Sequence, residues 1–409
     1  MARRPLARNV KALSAVSLFT DASSEMILPL LPLFLTQVLG ASATMLGGIE
    51  GLADTVAAML KLASGWWSDR VRRRKPLVMA GYGIASLVRP LMAFATHPWH
   101  VMAVRVSDRV GKGIRSSPRD ALIADGTAPE DRGRAYGFHR AADNLGAVVG
   151  PVVAWLMLEQ GKFDLRSVFL WASVPALVSV VVLFAFVRDV GGRGDVAVIQ
   201  TEGPSPNDAA APTPAPHVGA NLVAAEAVPM GDAFWRYLAV VFVFTLGCST
   251  DAFLLLRASQ IGIAAPWIPI LWAAHNLVRA IASTPGGRLS DRVGRRPPII
   301  AGWAIYAAVY FLFAFASEAW HAWALLLAYG VYFGLVEGSE KALVADLVPA
   351  ARRGVAFGWF NFVTGIAALP ASLLFGLVWD RVSPLAAFSM GASLAAAAAI
   401  GLLVLVPKR

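Results

Sequence analysis

The chain has 409 residues, of which 57% are hydrophobic and 15% are charged, and it contains 13 Trp. A soluble protein of this length could not bury so much apolar surface in ordinary domain cores, so the composition predicts a polytopic membrane protein. The net charge of +10 gives no reason to expect nucleic-acid binding, because basic residues set the orientation of membrane helices and attract lipid headgroups.

The N-terminal stretch MARRPLARNVKALSAVSLFTDASSEM starts with basic residues, as a signal peptide does. Asp21 and Glu25 interrupt its apolar part, and no small-residue cleavage site precedes them, so we expect a retained first helix. With this helix the chain has twelve apolar segments of about 20 residues, the length that a helix needs to cross a bilayer. They cover residues 12–39, 43–67, 76–96, 99–123, 135–158, 166–187, 233–256, 266–287, 297–316, 321–346, 355–379 and 384–406.

Basic residues distinguish the two sides of the predicted membrane. Arg and Lys precede the first segment, follow the second and the eighth, and end the chain, whereas the connections GASAT, THPW, IGIAAP and SEAWHA contain neither. Because basic connections stay preferentially in the cytoplasm, both termini are predicted to be cytoplasmic. We expect a multi-pass protein of the inner (plasma) membrane.

The chain divides into two similar halves. Residues 189–232 are rich in Pro, Ala and Gly, which predicts a flexible cytoplasmic linker between residues 1–188 and residues 233–409. GWWSDRVRRRKP, from Gly65, matches GRLSDRVGRRPP, 222 residues later, and ALIAD matches ALVAD at a spacing of 221. Two matches at nearly one spacing indicate an internal repeat.

These motifs resemble the signature of the major facilitator superfamily of transporters, G-x-x-x-D-R-x-G-R-R between helices 2 and 3. Arg72 departs from the pattern where Gly294 keeps it. The resemblance implies an all-α membrane protein with twelve transmembrane helices in two pseudo-symmetric six-helix bundles, and with helices 1, 4, 7 and 10 around a central cavity. The stretch DRVGKGIRSSPRDALIAD is similar to a bacterial branch of the superfamily.

The repeated motifs also predict a cytoplasmic gate. Its glycines would let helices 2 and 8 approach the other half closely, and its aspartates would lie against positive helix N-termini. Arg70 and Arg292 would reach carboxylates at the ends of helices 4 and 10. The alternative is that these charges only fix the topology. The predicted gate residues are Gly65, Asp69, Arg70, Asp125, Gly287, Asp291, Arg292 and Asp346.

The segment VRVSDRVGKGIRSSPRDALIAD, residues 104–125, carries much charge for a membrane helix. At 100° per residue, its charged residues from Arg105 to Asp120 fall within an arc of about 140°. Isolated charge in hydrocarbon is costly, so this stripe is predicted to line an aqueous cavity, with ion pairs across helices as the alternative. Pro118 is expected to affect the phase of the helix.

Other polar residues lie on segments that are expected to face the same cavity, where a His or a carboxylate can carry a proton. For any single residue a structural ion pair is the alternative. The many Arg favour a polar solute with anionic groups. The predicted substrate-binding or proton-binding residues are Asp21, Glu25, Arg105, Asp108, Arg109, Lys112, His139, Asp143, Asp251, His275, Arg279, Glu337, Glu340 and Lys341.

The sequence therefore predicts a secondary active transporter, proton-coupled and working by alternating access, for a small charged or zwitterionic organic solute. No Walker, GxSxG or HExxH motif is present, so we expect neither an ATPase nor an enzyme, and neither a cofactor nor a bound metal. The expected partners are the solute, protons and the lipid bilayer, with the chain as a monomer. The alternatives are an exporter of lipophilic cations, a non-transporting solute sensor and a metal transporter.

Overall fold

The computed structural model of the chain describes residues 6–70, 74–127, 131–188, 230–349 and 352–406. These residues form helices joined by short connections. The first six helices are α1 Arg8–Val38, α2 Ala43–Arg70, α3 Lys75–Phe94, α4 Pro98–Asp125, α5 Arg132–Glu159 and α6 Leu165–Phe186. The second six are α7 Asp232–Gln260, α8 Ile268–Val293, α9 Arg296–Phe315, α10 Ala319–Leu347, α11 Arg353–Arg381 and α12 Pro384–Leu405.

Length and composition make most of these helices suitable for a membrane. Within the described ranges, nine helices are long and apolar enough to cross a bilayer. The other three, α2, α4 and α8, have 28, 28 and 26 residues, and their sequences are rich in charged residues. The prediction of an all-α membrane fold is confirmed.

The packing of the first half recurs in the second half. The pairs α1 with α5, α2 with α4, and α1 with α6 correspond to the pairs α7 with α11, α8 with α10, and α7 with α12. The two halves meet along α2 with α11 and along α5 with α8. Small residues permit the first of these contacts, since a Cβ atom added at Gly376 would lie 2.5 Å from the carbonyl oxygen of Ala43.

Helix α1 is not a continuous α-helix. It is α-helical over Arg8–Ile27, continues through a 3-10 turn at Leu28–Leu30, and includes a π turn at Phe34–Val38. Pro29 and Pro32 lie in this stretch. Proline has no amide hydrogen and its ring obstructs the preceding turn, which explains why the regular helix stops here.

Helix α7 is interrupted at the corresponding place, between Asp232–Gly247 and Ala252–Gln260. Hydroxyl groups satisfy part of the interrupted backbone. The Tyr306 hydroxyl donates to the carbonyl oxygen of Gly247 at 3.2 Å, and the amide of Thr250 donates to the Ser372 hydroxyl at 3.2 Å. Irregular backbone at membrane depth requires such internal partners.

The bundle has two different ends. We call the end at which α1 begins and α12 finishes the termini face. At the opposite face the halves touch, because Ala252–Gln260 of α7 packs on the Leu31–Leu33 turn of α1. There Asp380, in the last turn of α11, accepts hydrogen bonds from the backbone amides of Ala43 (3.1 Å) and Thr44 (2.7 Å) at the start of α2.

The predicted linker lies almost entirely outside the described residues. Of residues 189–232, the structure describes only 230–232, and α7 begins at Asp232. The division into two bundles and a flexible linker therefore stays a prediction.

Candidate substrate cavity

A cavity of about 260 Å³ lies between the two halves, beside the breaks in α1 and α7. We call it the inner cavity. Its charged lining residues are Glu50, Asp54, Arg109 and Asp251. Its aromatic lining residues, which we call the aromatic wall, are Trp272, Tyr329, Tyr332 and Phe333.

A second cavity, of about 520 Å³, lies between α2, α4 and α11 on the side of the termini face. We call it the vestibule. Asp54 lines both cavities, so the two adjoin there. The polar lining of the vestibule also includes Lys61, Lys112, Ser116, Ser117, Asn361 and Thr364.

Two buried ion pairs hold charged residues of α4. Nε of Arg105 donates to Oε1 of Glu50 at 2.6 Å, and the same guanidinium makes a second hydrogen bond to Oε2. Nε of Arg89 donates to Oδ1 of Asp108 at 2.8 Å. All four side chains are less than a tenth exposed, so each pair is enclosed by protein. Mutual neutralisation explains how these charges are tolerated at membrane depth.

The prediction of one continuous water-facing stripe on α4 is therefore wrong. Arg105 and Asp108 are buried in ion pairs, and Arg115 is buried with its guanidinium 4.4 Å from the centre of the Tyr82 ring. Partners on α2 and α3 remove these charges from water, which is the alternative that the sequence left open. Glu50 and Arg89, which the sequence analysis missed, are the partners that neutralise Arg105 and Asp108.

Arg109 and Lys112 do reach the cavities. Arg109 lines the inner cavity, where its Nε lies 3.4 Å from Oδ1 of Asp54, but this Nε makes no hydrogen bond in the described part of the chain. Lys112 is exposed in the vestibule, as is Lys61. Among the residues that the structure describes, neither lysine has a carboxylate within ion-pair distance.

Two predicted carboxylates near the inner cavity accept hydrogen bonds from neutral aromatic groups. The Tyr329 hydroxyl donates to Oδ1 of Asp251 at 2.7 Å, and the Trp272 indole donates to Oε2 of Glu25 at 2.7 Å. No Lys or Arg in the described ranges lies within ion-pair distance of either carboxylate. These groups can therefore take up a proton or a cationic ligand without breaking an ion pair.

Two further predicted residues are packed in the second half. His275 is fully buried, with its ring 4.8 Å from that of Trp272 and 5.3 Å from that of Tyr329, and its Nδ1 lies 2.9 Å from the carbonyl oxygen of Leu326. Glu340 accepts a hydrogen bond from the indole of Trp303 at 3.0 Å. Neither residue lines either cavity.

The remaining predicted site residues form two clusters that do not line either cavity. In the first half, Nε2 of His139 lies 3.6 Å from Oδ1 of Asp143, and Asp21 packs on the same helix α5, since a Cβ atom added at Gly146 would lie 3.0 Å from the Cβ of Asp21. In the second half, Glu337 pairs with both Arg279 and Lys341. A possible proton path through the first cluster stays a prediction.

The second cluster joins α8 to α10. Nη2 of Arg279 lies 3.0 Å from Oε2 of Glu337, and Nζ of Lys341 lies 3.3 Å from Oε1 of the same carboxylate. The Arg279 guanidinium also lies 4.2 Å from the centre of the Phe333 ring, which belongs to the aromatic wall. This cluster can therefore support the aromatic wall from behind.

The sequence analysis missed four charged residues of the site: Glu50, Asp54, Lys61 and Arg89. A signal was available for the first two, since Glu50 and Asp54 are one helical turn apart in the otherwise apolar start of the second segment. Charges in such a segment usually face a cavity or a partner. Arg89 follows directly after an apolar run and gave no comparable pattern.

In the described part of the predicted gate, the residues of the second half do not contact the first half. A Cβ atom added at Gly287 would meet nothing within 4 Å, so the expected close approach of α8 to the other half is not made. Asp291 pairs instead with Arg295 of its own half. The hydrogen bonds with Asp291 and Asp346 raise the pKa of the Arg295 guanidinium above its usual range, against the opposing effect of burial, and keep it charged.

The arginine partners at the gate also differ from the prediction. Asp125 pairs with Arg74, and Asp346 pairs with Arg295 at 3.2 Å, two arginines that the prediction did not name. Each of them stands directly before the start of the next helix. The side chains of Gly65, Asp69 and Arg70 lie outside the described part of the structure.

Comparisons with known proteins identify the family. The sequence profile of the Major Facilitator Superfamily matches residues 13–371 and 238–409. The chain belongs to the major facilitator superfamily. An uncharacterized MFS-type transporter of Methanocaldococcus jannaschii is 31% identical to it over 398 residues, which cover 96% of this chain and 93% of the relative. Membership of this superfamily indicates a membrane transporter and not an enzyme.

Solved structures of other superfamily members share the fold. A nucleoside transporter matches with a TM-score of 0.78 at 12% identity, over 97% of this chain and 100% of its own. A D-xylose-proton symporter matches with a TM-score of 0.72 at 14% identity, over 98% and 97%. At these identities the likeness shows the major facilitator fold alone. In the described ranges, no group of three or more His, Cys, Asp or Glu could hold a metal ion.

Proposed function

We propose that this chain is a secondary active transporter that moves a small charged or zwitterionic organic solute by alternating access, with coupling to protons. The observation that carries the proposal is the asymmetry between the two faces. The halves touch at the opposite face, whereas toward the termini face the vestibule lies between α4 and the first turns of α11. Rocking along the α2–α11 and α5–α8 contacts would open the inner cavity to each face in turn.

The glycines of the repeated motifs support this mechanism. A Cβ atom added at Gly287, Gly354 or Gly358 would have nothing within 4 Å, so these positions have room for another helix to approach. We infer that they approach the other half when the termini face closes. With cytoplasmic termini, as the basic connections predict, the present conformation is open to the cytoplasm and the chain resides in the inner membrane.

Proton coupling is assigned to carboxylates beside the inner cavity. Asp251 and Glu25 accept hydrogen bonds from a phenol and an indole, both of which are neutral. Such carboxylates can be neutralised without stranding a positive charge, in contrast to Glu50 and Asp108, which are locked in ion pairs. We propose that the transporter acts as a monomer, because each chain supplies both halves of the cavity.

The test is transport by the purified chain in liposomes that contain a pH-sensitive dye. Amino acids, betaines, organic acids and amines are added in turn under an imposed pH gradient. We expect a solute-dependent proton flux, whose sign distinguishes symport from antiport, and we expect Asp251→Asn to abolish it. Asp232→Asn is the matched control, because Asp232 is an exposed aspartate at the start of the same helix. Solute binding without flux would indicate a sensor.

The aromatic wall favours a second candidate, an exporter of lipophilic cations. Trp272 and the three other rings next to Asp251 would suit such a ligand. However, drug-sized ligands occupy pockets of roughly 300 to 1,000 Å³, and the inner cavity has about 260 Å³. A flux response to large lipophilic cations, with none to small zwitterions, would support the exporter.

A further inference from the structure

We infer that the inner cavity selects a small zwitterion, with its cationic amine group against Asp251 and the aromatic wall and its acidic group against Arg109. This inference rests on the proposed function, which makes the cavity the solute site. The charges of the lining residues carry the argument, since most of them are already neutralised within the protein.

Among the described residues that line the inner cavity, Asp251 is the one carboxylate without a cation within ion-pair distance. Glu50 is neutralised by two hydrogen bonds from Arg105, and Asp54 lies in an ion pair with Arg109. Asp251 has only the neutral Tyr329 hydroxyl, and Arg279, the nearest cation on α8, is engaged with Glu337. A buried carboxylate without a cation attracts one from the solute.

The surroundings of Asp251 suit an amine group. Trp272, Tyr329, Tyr332 and Phe333 line the same cavity, and aromatic faces attract ammonium groups through their ring quadrupole. The Trp272 indole N–H donates to Oε2 of Glu25, which places a second carboxyl group at the edge of the ring. This hydrogen bond makes the ring richer in electrons, and so increases its attraction for a cation.

Arg109 provides the site for the acidic group. Its Nε is buried without a hydrogen bond in the described part of the chain, and its contact with Asp54 is long, at 3.4 Å. A guanidinium with an unused donor can bind a carboxylate or a phosphate. Lys61 and Lys112, in the adjoining vestibule, place further positive charge along the path by which the acidic group would arrive.

The chain contains its own reporter for this site. Cys248 is the one cysteine of the sequence, and it lines the inner cavity. Methanethiosulfonate reagents couple to its thiolate through a new disulfide and release methanesulfinate, so intact-protein mass spectrometry gives the rate. The purified protein in detergent is treated with a cationic 2-(trimethylammonium)ethyl reagent, an anionic 2-sulfonatoethyl reagent and a neutral methyl reagent. Division by the neutral rate cancels the intrinsic reactivity of the thiol.

We expect the cationic reagent to react about tenfold faster than the anionic one, because a charged cavity concentrates the opposite charge. Asp251→Asn should bring this ratio close to one, and Asp251→Glu should restore it. Asp232→Asn, on the same helix, should leave it unchanged. Thermal unfolding and size-exclusion profiles establish that each variant is folded before its rates are compared.

Protection experiments test the zwitterion itself. N,N,N-trimethylglycine carries both charges. Tetramethylammonium carries only the positive charge and trimethylacetate only the negative charge, on skeletons of similar size. At equal concentration, we expect trimethylglycine to slow labelling by the neutral reagent most. Arg109→Gln should remove its advantage over tetramethylammonium, whereas Arg236→Gln, a change at an exposed arginine of α7, should not.

Two outcomes would overturn the inference: faster reaction of the anionic reagent than of the cationic one, or best protection by trimethylacetate. None of these measurements involves transport. A cavity with the expected preferences but no flux in liposomes would therefore contradict the proposed function and leave the site intact.

Discussion

The two halves of the molecule share their helix contacts but differ in what fills them. In the first half, Arg89 and Asp108 form a buried ion pair at 2.8 Å. The residues 221 positions later in the second half are Tyr310 and Tyr329, whose ring centres lie 6.3 Å apart. The same pair of neighbouring helices is thus joined by charge in one half and by aromatic packing in the other.

The ion pair of the first half and the tyrosine pair of the second half each also contact a backbone carbonyl group of the first helix in their half. Arg89 donates to the carbonyl oxygen of Thr20 on α1 at 2.8 Å, and the Tyr310 hydroxyl lies 3.5 Å from the carbonyl oxygen of Ser249 at the break in α7. A guanidinium and a phenol can serve the same geometric need. The difference teaches that the backbone arrangement constrains where donors are needed, but not whether they are charged.

The largest expected effect comes from breaking the ion pair of the first half. Arg89→Leu would strand the Asp108 carboxylate in a buried site and should lower the free energy of unfolding by about 3 to 5 kcal/mol. The double change Arg89→Leu with Asp108→Leu should recover most of this loss, because no charge stays buried. Denaturant unfolding in detergent gives both values. A double variant as unstable as the single one would show that shape, and not charge, matters here.

A smaller loss of unfolding free energy is expected when an aromatic residue of the second half is changed. Tyr329→Phe removes the hydroxyl that donates to Asp251 and should cost roughly 1.5 to 3 kcal/mol, the usual contribution of a hydrogen bond to a charged group. In an Asp251→Asn background the cost should fall, and a double-mutant cycle measures this difference. Tyr332→Phe is the control, since the Tyr332 hydroxyl makes no hydrogen bond among the described residues. Equal losses in both backgrounds would refute the coupling.

The opposite face, at which the halves touch, allows a similar comparison between the two halves. Asp380→Asn weakens the cap on the start of α2, and should shift the equilibrium away from the present conformation by roughly 0.3 to 2 kcal/mol. A cysteine introduced at Gly358, in a Cys248→Ser background, should then react more slowly in the vestibule. The corresponding residue of the first half, Glu159, has no hydrogen bond to α8 in the described ranges, so Glu159→Gln should have little effect. Equal effects of the two changes would show that the hydrogen bonds of Asp380 do not hold the present conformation.

The smallest effects should come from the gate pairs, where the halves are most alike. The Asp125 and Asp346 side chains are 44% and 50% exposed, and surface pairs of this kind contribute about 0.2 to 1 kcal/mol. Asp125→Asn and Asp346→Asn should therefore lower the unfolding free energy by similar small amounts, and 1 M salt should remove the difference from the unchanged protein. A clear difference between the two losses of unfolding free energy would show that the two gate pairs are not equivalent.

The fold was largely predictable, because hydrophobic length and the repeated motif act locally and are visible in one sequence. Asp251 and Arg109, which the sequence analysis expected at a cavity, do line the inner cavity. Asp251 stands out as a charge in an apolar segment, and Arg109 belongs to the charged face of α4. The partner of each charge was not predictable. Arg105 meets Glu50 across 55 positions of sequence, and only the packing of α2 on α4 brings them together.

The same limit explains the error about the α4 stripe. Helical periodicity shows which residues share a face, but it does not show whether a residue of that face lines a cavity, as Arg109 does, or is buried against a carboxylate, as Arg105 is. The sequence analysis did not name Arg74 and Arg295 as partners of the gate carboxylates for a related reason. Arg74 and Arg295 precede a helix by at most one residue, and the direction in which the chain turns there decides which guanidinium reaches Asp125 or Asp346.

The paired breaks in α1 and α7 have a mechanical consequence. A helix bends as one rod while its backbone hydrogen bonds are continuous, and at a break a few dihedral angles can absorb a rotation. Beyond its break, Ala252–Gln260 of α7 has 9 residues, a length of about 13 Å, and it packs on the Leu31–Leu33 turn of α1. A tilt of this short helix by about 20° would move its far end by about 4 to 5 Å. Such a displacement approaches the width of a small solute, so the opposite face can admit one before the whole bundles have moved.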